Sequence, residues 1–263
     1  MDLTIIILFV LSGLLTGLLA GLLGIGGGLI TVPVIYYLLP LAGFPEEKIM
    51  QVAVGTSLAA TFITSFASTW AHYHKKTIVF SAFKRIVPGL IFGCMFGALI
   101  AHFLPSLFLR EIFGCMAILF GIYFLFPRFP HPRFGSSPNF TLSIFGLGIG
   151  TLSSLLGIGG GLFTVPVFLG YQLPMKNAVG TSSSATLVTA LVGTISYLFI
   201  AWHKPSIPET FGYIELPVFF AISLGSVSTS WLGVKLSHVL HTDIVKRIFA
   251  CACAITGILM LIS

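Results

Sequence analysis

Two glycine runs carry the strongest chemical signal in the chain. Residues 24–34 read Gly-Ile-Gly-Gly-Gly-Leu-Ile-Thr-Val-Pro-Val, and residues 157–167 repeat them with one change, Phe163 in place of isoleucine. An echo follows each run, Val54-Gly55-Thr56-Ser57 and Val179-Gly180-Thr181-Ser182. Glycine offers only its backbone. A helix that starts at such a run presents unpaired N–H groups and the positive end of its dipole. That end binds an anion without any lysine. The candidate donors are Gly26, Gly27 and Gly28 in the first run and Gly159, Gly160 and Gly161 in the second. Hydroxyls donate to oxyanions and are cheap to bury. Thr31, Thr56, Ser57, Thr164, Thr181 and Ser182 stand ready to complete a shell, within a denser cluster from Thr181 to Thr186. Pro33 and Pro166, five residues past each triple glycine, shape the short helices that follow. Close packing through small residues and hydroxyls bonding back to helix carbonyls are the plainer explanations. Duplication of the whole run, with its Thr-Val-Pro tail, favours a site.

Other chemistries lack their residues. Asp2, Glu46, Glu47, Glu111, Glu209, Glu215 and Asp243 all fall in or beside loops. A carboxylate proton relay or cation cage at mid-membrane is therefore not expected. Glu215, beside Pro217, reads as an interfacial residue. His72-Tyr73-His74-Lys75-Lys76 reads as a solvated basic loop rather than a metal clip, and His102 and His238 as interfacial. Cys94, Cys115, Cys251 and Cys253 lie in apolar segments and read as buried packing thiols. No metal and no cofactor are expected. No catalytic triad, zinc-protease motif or phosphate loop stands in a plausible context, which argues against an enzyme.

The elements that must position these residues are membrane helices. Hydrophobic residues make up 56% of the 263, and charged residues only 8%, against roughly 25% in soluble domains. Mean hydropathy is +1.06. The net charge of +6 points to cytoplasmic loops, not to nucleic acid. Met1-Asp2-Leu3-Thr4 lacks the positive start of a cleaved signal peptide, so the first apolar run is expected to be retained. The expected segments are 3–23, 29–40, 49–71, 86–103 (opening with Pro88-Gly89) and 112–126. After a proline-rich stretch come 140–156, 162–173, 177–202, 214–234 and 247–262. Residues 1–126 and 140–263 thus form two membrane repeats joined by a cytoplasmic linker, 127–139.

Charge decides between topologies. With five segments per half, one side carries ten basic residues and the other three, Lys48, Arg110 and Lys204. With four per half the split is seven to six, and no orientation is preferred. The positive-inside rule selects the first. The fold class is an all-α polytopic bundle of two inverted five-segment repeats, about eight segments long and the rest short, with both termini outside the cytoplasm. A cysteine at Ser137 should then react only with membrane-permeant reagents in intact cells, and one after Ser263 with impermeant ones.

At Gly24–Pro33, Gly157–Pro166, Gly55-Thr56-Ser57 and Gly180-Thr181-Ser182 the chain resembles the TauE/SafE family of sulfite exporters and related permeases. The resemblance spans nearly the whole chain. It implies a bacterial cytoplasmic-membrane protein that moves sulfite, thiosulfate or organosulfonates. The family is usually drawn with seven or eight helices, against the ten segments here. The residues suggest alternating access around a small anion held near the midplane. An anion channel, or a sensor or assembly subunit that moves no solute, would use the same duplication.

Overall fold

The computed structural model describes residues 2–24, 26–125, 139–202, 210–236, 239 and 242–262. The linker expected at 127–139 lies outside them apart from Asn139, as do His238, Ser137 and Ser263. The first half holds helices α1 (Leu3–Leu23), α2 (Gly28–Leu38), α3 (Ile49–His74), α4 (Phe80–Phe103) and α5 (Ser106–Leu125). The second holds α6 (Asn139–Leu156), α7 (Gly161–Gly170), α8 (Met175–Ile200), α9 (Leu216–Leu236) and α10 (Thr242–Ile262). Six of the described helices are long and apolar enough to cross a membrane. The protein is an all-α polytopic membrane bundle, as its composition requires. One exception is a hairpin of two-residue strands, Thr210–Phe211 with Ile214–Glu215, the first in an expected loop and the second at the expected start of the segment 214–234.

The helices are apolar on nearly every side because they meet lipid on one face and protein on the other. Leu8, Leu15, Phe92, Phe96, Leu119, Ile144, Phe220 and Leu224 are exposed, as a hydrocarbon solvent allows. Inward, glycine lets backbones touch. Gly13, Gly17 and Gly21 of α1 lie against Ile222, Ser226 and Ser230 of α9. Gly89, Gly93 and Gly97 of α4 lie against Ser143, Leu147 and Thr151 of α6 in the same manner. Each pairing joins opposite halves and has its counterpart when the halves are exchanged: α1 with α9 and α6 with α4, α3 with α9 and α8 with α4. Helices α3 and α8 pair with each other, as do α5 and α10. Gly148 contrasts with these, since a Cβ there would meet no atom within 4 Å. Gly148→Ala should raise stability by about 0.5–1 kcal/mol through helix propensity alone, read as a higher thermal midpoint in detergent.

Several boundaries differ from expectation. Helix α4 begins at Phe80, so Lys84 and Arg85 are helical and Pro88 sits inside it. The Val79 N–H at its start donates to Thr181 Oγ1 at 2.9 Å, which anchors the helix well before the proline. Helix α5 begins directly after Pro105, whose carbonyl takes the Leu109 N–H, so Arg110 and Glu111 are helical as well. His72 is not solvated: it is 1% exposed and its Nδ1 bonds Thr77 Oγ1 at 3.0 Å. Glu215 is also 1% exposed, because it opens α9 inside the bundle rather than at an interface. Cys94 and Cys253 are buried, but Cys115 and Cys251 face outward. Helical spacing sends neighbouring thiols to different sides.

Candidate anion site at the paired glycine breaks

Helix α1 stops where Gly24 turns left-handed (φ 69°), its N–H still bonded to Ala20 O. Gly26 (φ 90°) and Gly27 (φ 80°) are left-handed too. In the second break the same conformation falls on Gly157, Gly159 and Gly160, at φ 71°, 82° and 77°. Only glycine takes such a run without strain. The chain thereby folds back: Gly24 lies against Val179, whereas Gly27 lies against Thr16, two turns back along α1. Helices α2 and α7 therefore start within the bundle. With 11 and 10 residues they are about 15–17 Å long at 1.5 Å per residue, half a hydrocarbon core of about 30 Å.

The two breaks touch. A Cβ on Gly28 would overlap the carbonyl oxygen of Gly157 and stand 2.7 Å from Ile158 Cα. A Cβ on Gly26 would stand 2.6 Å from the methyl of Thr186 and 2.9 Å from that of Thr61. One on Gly159 would meet the same methyls at 3.1 and 2.6 Å. Thr61 and Thr186 lie near the midpoints of the 26-residue helices α3 and α8, so the breaks meet near mid-bundle.

Every hydroxyl expected at the site is bonded. Thr31 Oγ1 and Ser57 Oγ are 2.6 Å apart, and Ser57 donates across the halves to Gly157 O at 3.0 Å. Thr164 Oγ1 and Ser182 Oγ are 2.5 Å apart, with Gly161 O 3.2 Å and Gly24 O 3.5 Å from Ser182. Thr61 donates to Gly26 O, Thr186 to Gly24 O and Thr189 to Gly159 O. Thr56 and Thr181 do something else. Thr56 Oγ1 accepts the Glu215 N–H at 3.0 Å, as Thr181 accepts that of Val79. Each caps a long helix of the opposite half.

An excess of donors remains at the breaks. Their carbonyls are taken by these hydroxyls and by the first turns of α2 and α7. Among the described residues, the N–H groups of Gly27, Gly28 and Leu29, and of Gly160 and Leu162, find no acceptor. Pro33 and Pro166 stand inside continuous helices, and the proline ring removes the N–H that would have met Leu29 O or Leu162 O. Thr61 is the residue that the sequence reading passes over. Its signal is a threonine four places after the serine in both copies, Ser57–Thr61 and Ser182–Thr186, hence one face of a helix.

Beside the centre runs a crevice lined by Gly24, Gly26, Ser65, Ser68, Ser183 and Thr186 and too narrow to seat a water. Where α3 and α9 end, a pocket of about 280 Å³ is lined by Trp70, His74, Lys75, Trp231 and Lys235. Desolvation, then repulsion from Lys235 and Lys176, lowers the Lys75 ammonium below the usual lysine range. Lys75 Nζ also donates to Val234 O at 3.3 Å.

Comparison with known proteins agrees with this picture of a membrane bundle. The family described as "Sulfite exporter TauE/SafE" matches residues 9–260. A probable membrane transporter protein of Haemophilus influenzae is 33% identical over 249 residues, 94% of either chain. One of Methanocaldococcus jannaschii is 29% identical over 259 residues, covering 97% of this chain and 95% of its own. Another, YunE of Bacillus subtilis, is 27% identical and covers 89% and 88%. No solved structure matches the chain.

Proposed function

The chain belongs to the sulfite exporter TauE/SafE family of membrane transporters, and from that premise we propose that it exports a small sulfur-containing anion, sulfite, thiosulfate or an organosulfonate. The excess of N–H donors where α2 and α7 start carries this reading. Two helix starts with unpaired donors, and no charged side chain among the described neighbours of the breaks, suit an anion that must bind and then leave. In this reading Gly27, Gly28 and Gly160 supply the backbone donors together with Leu29 and Leu162, whereas the Gly161 N–H is already bonded to Gly159 O at 2.9 Å.

The substrate pathway works by alternating access in a membrane whose positive inside lies at Lys75, Lys176 and Lys235. The described conformation is the occluded one. Its cross-half bonds, Ser57 to Gly157 O and Ser182 to Gly24 O, open in turn. Each opening frees a hydroxyl, with Thr31 or Thr164 behind it, to join the anion's shell. The breaks cannot part by simple separation of residues 1–126 from 140–263, since α1 is packed on α9 and α4 on α6. The moving bodies are these mixed pairs against the core of α2, α3, α7 and α8. Outward movement of an anion is favoured by a cytoplasm-negative potential, at about 2.3 kcal/mol per charge per 100 mV.

Radiolabelled sulfite and thiosulfate flux in proteoliposomes tests the proposal. Saturable flux, reduced at least tenfold in Thr61→Val/Thr186→Val, is the expected result. Flux of neither anion through well-folded protein would remove both as substrates, leaving larger organosulfonates as the class to try. Thiol labelling of the termini tests the orientation, in a background where the outward-facing Cys115 and Cys251 have been replaced by serine.

A further inference from the structure

A pocket with a buried cation stands at the far end of α2. There Tyr36, Tyr37, Pro40, Glu46, Ser106 and Arg110 line an open pocket of about 360 Å³. Arg110 is only 7% exposed, whereas Lys75, Lys76, Lys84, Arg85, Lys176 and Lys235 are all exposed. Its Nε is buried without a partner, and the side chain forms no ion pair or hydrogen bond among the described residues. Glu46, the carboxylate of the same pocket, is exposed and does not reach it. A cation so largely withdrawn from bulk water and without an ion pair has unmet attraction for an anion, which suits a partner that comes and goes through the open pocket.

The rest of the pocket is built for the same partner. Ser106 Oγ accepts the Met50 N–H at 3.0 Å, which leaves its own proton to donate. Tyr37 OH is bonded to Leu259 O at 2.6 Å, and this holds the rim, while the Tyr36 hydroxyl has no acceptor among the described residues. A guanidinium, a phenol and a serine hydroxyl therefore face one water-accessible space. A guanidinium grips oxyanions through two parallel N–H bonds. From Gly28 at the central break to Tyr36 is about 12 Å along α2 at 1.5 Å per residue.

We infer that Arg110, with Tyr36 and Ser106, forms a vestibule site that holds a sulfur oxyanion between the central breaks and the aqueous phase at the Pro40–Lys48 face. The role of the site rests on the transport proposal above. Its existence as an anion site does not, and the two are separable by experiment.

In lipid-free detergent solution, phenylglyoxal adducts at Arg110 and at the exposed Arg85 are followed by peptide mass spectrometry. Thiosulfate or sulfate should slow modification of Arg110 at least fivefold and saturably, leaving Arg85 unchanged, while chloride at equal ionic strength has no such effect. Equal slowing by chloride overturns the proposal, and so does protection by added phosphatidylglycerol but not by thiosulfate. If Arg110 does not react at all, thiosulfate flux decides. Arg110→Gln should raise KM at least tenfold with kcat within twofold, and Arg110→Lys should raise KM less than threefold. Wild-type KM in both variants overturns the site. Protection of Arg110 in a protein that carries neither thiosulfate nor sulfite would leave the site standing and remove those two anions as transported substrates.

Discussion

Gly28→Ala should abolish anion flux and lower the thermal midpoint in detergent by on the order of 10 °C. The added methyl would overlap Gly157 O and crowd Ile158 Cα at 2.7 Å. Both are backbone, held by the left-handed Gly157 and by the bond from Ser57 to its carbonyl. A flexible side chain could swing away, but this backbone cannot. Overpacking costs about 1–3 kcal/mol, and loss of the Ser57 bond adds about 1. A change of 1 kcal/mol moves the midpoint of a chain this size by about 2–4 °C. The expected loss of flux exceeds what instability explains, because the methyl also separates the two helix starts. A Gly28→Ala protein with wild-type flux would refute the meeting of the breaks as the transport site.

Thr56→Val/Thr181→Val should cost about 2–4 kcal/mol, and restoring serine at both positions should recover most of it. Valine keeps the shape and removes the acceptor, so the buried Glu215 N–H and the part-buried Val79 N–H are left unpaired at the starts of α9 and α4. Each lost cap is worth about 1–2 kcal/mol. The two caps serve different helices at opposite ends of the bundle and share no partner, so their effects should add. Urea or thermal unfolding of the four variants gives the cycle. Should Thr56→Val prove as stable as wild type yet lose flux, the hydroxyl would be a substrate ligand and not a cap.

Periodicity and composition made the helices legible, and duplication located the breaks, because only glycine runs interrupt otherwise continuous apolar segments. The turn-back itself follows from left-handed glycine. The Gly-Thr-Ser echo was harder to resolve. Its three residues do three separate jobs: Gly55 admits the Tyr213 backbone, Thr56 caps α9, and Ser57 bridges to Gly157. Sequence offers only the hydroxyl type at each place, and a donor to a substrate looks the same there as an acceptor for a neighbouring helix. In the sequence Arg110 reads as a loop charge because it falls between the expected segments 86–103 and 112–126. One proline at 105 starts the helix earlier and turns that charge inward. Likewise Glu215 reads as interfacial in the sequence, whereas the hairpin at Thr210–Glu215 draws it under cover.

The pairing of α1 with α9 also has a consequence for biogenesis. Gly13 meets Ile222, so the glycine face of the first helix waits in the bilayer while most of the chain is still being translated. At 5–20 residues per second that delay is roughly 10–40 s. Helix α4 waits less, since α6 follows soon after it. Of these two glycine-faced arms, the one begun first is therefore the later to close. Until then, the surface that will bind α9 is open to any other small-residue helix nearby. The same arrangement makes a gene split between codons 125 and 139 tolerable, because each fragment would carry one partner of every cross-half pairing.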